Sequence, residues 1–126
     1  MPELLSLVRA SLMLDDPLLA RRLGRDVQRM SPLDDHISAS IQALITENAG
    51  EHFQAAPLHA EAARRWHEFG NVPERAYALL GQGRSLVVLG DPAAEVPLTE
   101  ARDLFASMGY KPALAETEAL LADSSR

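Results

Sequence analysis

The cluster Gly81-Gln82-Gly83-Arg84 invites comparison with phosphate-binding loops. A dinucleotide-binding loop needs a third glycine, a preceding strand and a helix that opens after it, and a P-loop needs Lys followed by Ser or Thr. None of these features is present, and the glycines lie inside a helical pattern of apolar residues. We therefore predict that Gly81 and Gly83 let two helices approach closely, at a cost of up to about 1 kcal/mol each relative to alanine.

The histidines are the chain's candidates for metal binding or proton transfer: His36, His52, His59 and His67. A helical metal site typically uses two ligands four residues apart, and no pair of these histidines has that spacing. His52 and His59 share a helix face but lie two turns apart, about 10 Å by helical rise. We predict no metal and no other cofactor, and we expect His59 to be a packed residue with one ring nitrogen hydrogen-bonded.

Acidic and hydroxyl groups show no pattern typical of an active site. The pairs Asp15-Asp16 and Asp34-Asp35 stand at predicted helix starts, where carboxylates complement the helix dipole. No serine lies in a nucleophile-elbow motif, and the chain has no cysteine, which excludes disulfides, thiolate catalysis and Cys-based zinc sites. The sequence therefore predicts a protein without enzymatic activity.

One predicted helix carries a basic face made of Arg21, Arg22, Arg25 and Arg29. The favoured interpretation is a solvated face that Asp26 partly neutralises. The second is a docking strip for an acidic partner or a preceding domain. Nucleic acid comes third, because no aromatic side chains accompany the arginines and the chain's net charge is −6.

Composition and length predict one all-α domain over residues 1–126. Hydrophobic residues make up 47% of the chain and are dominated by alanine and leucine, whereas the residue types that favour strands are scarce. No apolar run approaches the roughly 18 uncharged residues that span a bilayer, and the start of the chain lacks the basic flank of a signal peptide. We expect a cytoplasmic protein with no membrane partner.

The segment 57–70 returns in altered form at 97–109, with one residue missing before the second Glu-Ala pair. After that pair the bulky residues fall in step, for example Trp66 with Phe105. A repeat of about forty residues with helical spacing is typical of stacked helix hairpins. Together with glycine, proline and capping residues at the boundaries, it predicts seven helices in three antiparallel hairpins, about 2–30, 32–69 and 73–108, and a capping helix at 112–122.

Pro57 and Pro97 occupy matching places in the two repeated helices, in the second turn of each. A proline there lacks an N–H and crowds a preceding carbonyl. Either the first turn is separated by a kink, or the regular helix begins nearer the proline. The matching positions suggest a shared bend.

The hairpin pattern resembles the tetratricopeptide-repeat family. In that family a small residue stands mid-way along the first helix, glycine at the turn, alanine early in the second helix, an aromatic residue one turn later and alanine after that. The corresponding residues here are, in order, Ala43, Gly50, Ala55, His59 and Ala62. The resemblance implies a right-handed stack of hairpins, an α-solenoid.

The segment 69–121 is also similar to the C-terminal helical tails of large bacterial ATPase, adenylate-cyclase-like and LuxR-type regulators. Residues 69–84, FGNVPERAYALLGQGR, carry this similarity, and 101–118 extend it. The resemblance implies a regulatory role as part of a larger regulator or as its free-standing relative. None of the nucleotide-binding parts of those proteins is present in this sequence.

A tetratricopeptide-like stack lines its concave side with the first helix of each hairpin, which implies a binding groove. Mapping by the repeat gives the groove residues Arg9, Met13, Ser40, Leu44, Glu47, Tyr77, Arg84 and Val88. A mixed surface with Arg, Tyr and Met has a composition typical of interfaces. We predict a module that binds a protein or peptide partner or self-associates. The alternative is a small-molecule-sensing helical domain of a transcriptional regulator, which requires an enclosed pocket near Trp66, Tyr77 and Arg84.

Overall fold

The computed structural model describes residues 35–124, and this range consists of helices joined by short turns. The helices are α1 (Asp35–Asn48), α2 (His52–Phe69), α3 (Val72–Val88), α4 (Glu95–Met108) and α5 (Lys111–Ser124), with a 3₁₀ turn at Pro92–Ala94. No strand occurs within 35–124, so the all-α prediction is confirmed for this part of the chain. The predicted hairpin 2–30 lies outside the described residues, and so do Arg9, Met13, Arg21, Arg22, Arg25 and Arg29.

The helix ends follow signals that are visible in the sequence. α3 starts directly after Asn71, whose side-chain oxygen accepts a hydrogen bond from the backbone N–H of Glu74 at 3.0 Å. α2 and α4 end at Gly70 and Gly109, whose φ angles of 84° and 72° belong to the left-handed region that glycine adopts without a Cβ penalty. The connections that follow these two stops are two residues long, at 70–71 and 109–110.

The two repeated prolines are accommodated in different ways. Pro57 lies well inside α2, whereas Pro97 lies in the first turn of α4, directly after the 3₁₀ turn. A proline in the first turn removes no helical hydrogen bond, because the N–H at that position has no partner within the helix. The two prolines therefore lie at different depths in their α-helices: α2 begins five residues before Pro57, and α4 begins two residues before Pro97, directly after the 3₁₀ turn. The bend that their matching positions suggest stays a prediction.

From α1 to α4, each helix runs antiparallel to the next. The indole N–H of Trp66, near the end of α2, donates a hydrogen bond to the hydroxyl of Ser40 near the start of α1 at 2.6 Å. His52, at the start of α2, lies beside Ser85 near the end of α3, with 3.4 Å between His52 Nδ1 and Ser85 Oγ. The start of α3 and the end of α4 meet in the same way, through an aromatic contact described below.

The central helix of the described range is α3, which contacts α1, α2, α4 and α5. Its buried residues Leu79, Leu80 and Leu86 belong to the same apolar cluster as Leu98 and Phe105 of α4. Burying a side chain of this size stabilises a fold by roughly 1.5–3 kcal/mol. Because α3 is covered on most sides, the few side chains it leaves accessible define the surface on which a site could form.

Candidate functional site

The Glu47 carboxylate is the centre of a polar network that joins three helices. Arg84 of α3 donates two hydrogen bonds to it, from Nε at 2.5 Å and from Nη2 at 2.9 Å. His59 of α2 places Nε2 at 2.8 Å from the Glu47 Oε1 atom. Glu47 itself stands near the end of α1, so one carboxylate fixes α1, α2 and α3 together.

The network keeps Glu47 ionised. Burial by itself would raise the pKa of this carboxyl, but hydrogen bonds from Arg84 and His59, aided by the positive charge of Arg84, outweigh burial and lower the pKa from its usual 4.5 to about 2. The pKa of Arg84 is raised by the same pairing despite the opposing effect of burial. A carboxylate with so low a pKa is a poor proton acceptor, so the arrangement supports ion pairing rather than general-base chemistry.

Arg84 extends the network to α5. Its Nη1 donates a hydrogen bond to Glu116 Oε2 at 2.8 Å. Side-chain exposure rises along the series, from 12% for Glu47 through 31% for Arg84 to 46% for Glu116. The network therefore begins under the surface at α1 and reaches solvent at α5.

His59 and Leu98 occupy the same position relative to Trp66 and Phe105, although counting from the two prolines, which are 40 residues apart, would pair Leu98 with Leu58. The step of 39 residues from Trp66 to Phe105 also leads from His59 to Leu98. Both side chains are buried, with 2% and 0% exposure. The prediction that His59 is a packed residue with a hydrogen-bonded nitrogen is confirmed.

Two glycines of α3 make room for this pair of side chains. A Cβ atom on Gly81 would collide with the imidazole ring of His59, and one on Gly83 would collide with the side chain of Leu98. Gly81 and Gly83 therefore allow close helix approach on opposite sides of α3, which confirms their predicted packing role.

The structure brings together two of the predicted groove residues, Glu47 and Arg84, which contact each other directly. Tyr77 is half-buried and packs edge-on against Phe105, with the ring centroids 5.0 Å apart. Val88 at the end of α3 is 62% exposed.

The remaining described groove residues are less available. Ser40 is buried and its hydroxyl accepts the hydrogen bond from Trp66, so it is part of the core. Leu44 is partly buried against the apolar cluster. Whether any of these residues meets a partner stays a prediction.

The residues proposed for a small-molecule pocket make separate sets of contacts. Trp66 packs with His36 and Phe69 at the α1–α2 end, with centroid distances of 5.7 and 5.9 Å. Tyr77 instead contacts the rings of α4 and of the turn after it, and Arg84 is held by two carboxylates.

Within residues 35–124 no group of three or more His, Cys, Asp or Glu side chains is arranged to hold a metal ion. His52 and Ser85 are close enough to interact, but Ser85 has 0% exposure, so its hydroxyl cannot reach a substrate. None of the helices in this range is long and apolar enough to cross a membrane.

Sequence reasoning missed two features of this network: the part played by Glu116, and the hydrogen bond between Glu47 and His59. A histidine on the inward face of an amphipathic helix needs a polar partner, and this requirement could have suggested a search for an acid on a neighbouring helix. The pairing of Arg84 with Glu116 left no such signal, because it depends on how α5 lies against α3.

In comparisons with protein-family models, with curated proteins and with solved structures, nothing matches this chain.

Proposed function

We propose that this chain is a non-enzymatic helical-repeat module that binds a protein or peptide, or a second copy of itself, on the face formed by α1, α3 and α5. The observation that carries the proposal is the series of ion pairs Glu47–Arg84–Glu116, because it joins these alternate helices along one face. A right-handed, tetratricopeptide-like stack is expected to place the first helices of its hairpins together in this way.

The ion pairs also favour a rigid binding surface. Because Glu47 and Arg84 are already paired, this face needs little ordering when a partner binds, and a preorganised surface lowers the entropic cost of association. Val88, at 62% exposure, follows Arg84 by four residues, and this spacing places the valine on the same face of α3 as the paired charges. The resemblance of 69–121 to the tails of bacterial regulators favours a regulatory role within a larger protein.

The chain offers a matched pair of valines for testing this surface. Val88 lies on α3, on the proposed face, and Val96 lies on α4, with nearly equal exposures of 62% and 66%. A partner is first identified by affinity purification with the wild-type chain, and its affinity is then measured by calorimetry. We expect Val88→Asp to weaken binding at least tenfold and Val96→Asp to leave it within about twofold.

Circular dichroism is used to check that both variants keep the wild-type helical content. Failure to recover any partner would contradict the proposal. Equal affinity of the wild type and Val88→Asp, or a larger loss with Val96→Asp, would place the binding surface elsewhere.

A further inference from the structure

The last described helix is held by the smallest buried side chains of the bundle. The only buried side chains of α5 are Ala113, at 8% exposure, and Thr117, at 0%, whereas α4 buries Leu98 and Phe105 completely. The leucines of α5 are only partly buried against the core. Since stabilisation scales with the apolar area removed from water, packing against the bundle stabilises α5 less than it stabilises α4.

The polar tie of α5 to the bundle is also weak by its nature. Glu116 pairs with Arg84 at 2.8 Å, but the two side chains are 46% and 31% exposed. Ion pairs at such exposure typically contribute little, because water and salt screen them. The pair therefore contributes little to holding α5 in place, but it favours a helix that carries a carboxylate at position 116.

The aromatic anchor of this region precedes α5 in the chain. Tyr110 stacks on Phe105 with a centroid distance of 6.3 Å and lies 6.5 Å from Tyr77. Gly109, at φ 72°, forms the turn before it. The first turn of α5 is tied to this cluster, because the backbone N–H of Leu114 donates a hydrogen bond to the Tyr110 carbonyl at 2.9 Å. This hydrogen bond must break for residues 111–124 to leave the bundle while the aromatic rings stay in place.

We infer that the surface of α3 and α4 beneath α5 is a helix-docking site that takes the α5 of a second copy in exchange for its own. The occupant follows from what the site already holds: a helix with small residues at 113 and 117 and a carboxylate at 116 facing Arg84. Reciprocal exchange of such an element gives a symmetric dimer. The short connection gives the chain's own α5 an effective concentration on the order of 1 mM, so the closed form dominates in the wild type.

The test uses the full chain and a fluorescein-labelled peptide of residues 111–124. Thr117→Arg places a long cation where the wild-type side chain has 0% exposure, so the chain's own α5 cannot seat. The matched control is Glu118→Arg, which introduces the same cation on the exposed side of α5. By fluorescence anisotropy, we expect Thr117→Arg to bind the wild-type peptide at least tenfold more tightly than the wild-type chain does, and Glu118→Arg to behave like the wild type.

A peptide that itself carries Thr117→Arg should not bind, and this control distinguishes binding at the docking site from non-specific binding. The fluorescence of Trp66, which lies between α1 and α2, reports that the rest of the fold is intact. If Thr117→Arg disturbs that signal, Glu116→Lys replaces it as the variant with a weakened α5. Equal peptide binding by wild-type and α5-weakened chains, or binding of the Thr117→Arg peptide, would overturn the inference. Neither result bears on partner binding at Val88, so the two proposals fail independently.

Discussion

On each of two sides of α3, a glycine lets a side chain of the neighbouring helix approach closely, but this side chain is polar on one side and apolar on the other. On the α2 side, Gly81 admits His59, whose ring is hydrogen-bonded to an ionised Glu47. On the α4 side, Gly83 admits Leu98, which lies in an apolar cluster with Phe105. We call these contacts the polar seam (Gly81, His59 and Glu47) and the apolar seam (Gly83 and Leu98).

The difference separates stability from specificity. Leu98 stabilises its seam by leaving water, and any apolar side chain of similar volume would serve nearly as well. The polar seam gains less, because a buried charge must first be desolvated, but it requires His59, Glu47 and Arg84 in one arrangement. The apolar seam is therefore expected to dominate the free energy of unfolding, and the polar seam to fix how α1, α2 and α3 fit together.

The largest expected effect comes from exchanging the two side chains between the seams. Leu98→His buries an imidazole among apolar groups with no acid beside it, and should lower the free energy of unfolding by about 3–5 kcal/mol. His59→Leu keeps the volume and leaves Glu47 bound by Arg84, and should cost only about 1 kcal/mol. Urea unfolding followed by circular dichroism measures both. Similar losses for the two variants would show that the seams are not chemically distinct.

The next largest effect is a pH dependence of the unfolding free energy, which we expect from the polar seam and not from the apolar seam. Because pairing with Arg84 and His59 overcomes burial and lowers the Glu47 pKa from its usual 4.5 to about 2, its stabilising contribution is complete above pH 4.5. That contribution is lost as the pH falls from 4.5 towards 2, and it amounts to about 3 kcal/mol. We expect Glu47→Gln to flatten the decline in unfolding free energy over this range.

Unfolding by urea at several pH values between 2 and 6 measures this dependence. Leu98→Ala serves as the control, because it should lower stability equally at every pH. An unchanged slope in Glu47→Gln would assign the acid sensitivity to other carboxylates.

The smallest effect distinguishes the two glycines. Gly81→Ala forces the His59 ring aside and should cost about 1–2 kcal/mol, the overpacking being partly offset by the higher helix propensity of alanine. In a His59→Ala background the collision is gone, and the same change should stabilise the chain by up to about 1 kcal/mol. Gly83→Ala should remain destabilising in that background, because its collision is with Leu98. A double-mutant cycle on unfolding free energies tests this, and additive losses at Gly81 and His59 would contradict direct contact between them.

Much of the fold was predictable because its signals are local. Gly70 and Gly109 act as helix stops through their own backbone conformation, and the structure ends α2 and α4 at these residues. The repeat predicted that Trp66 and Phe105 are equivalent, and both are buried, on α2 and α4 respectively. The repeat did not predict the different helix starts at Pro57 and Pro97, because the two segments share only the Pro-Leu pair there and the residues before each proline differ.

The sequence by itself determined most of the helix boundaries, that neighbouring helices pack antiparallel, and that Gly81 and Gly83 are packing positions. These follow from backbone preferences and from the spacing of apolar side chains, which need no knowledge of distant residues. Only the tertiary structure decided that Glu47, His59, Arg84 and Glu116 form one network across four helices. Ion pairs between residues far apart in the chain depend on helix rotation and approach to within about an ångström, and no local pattern encodes that.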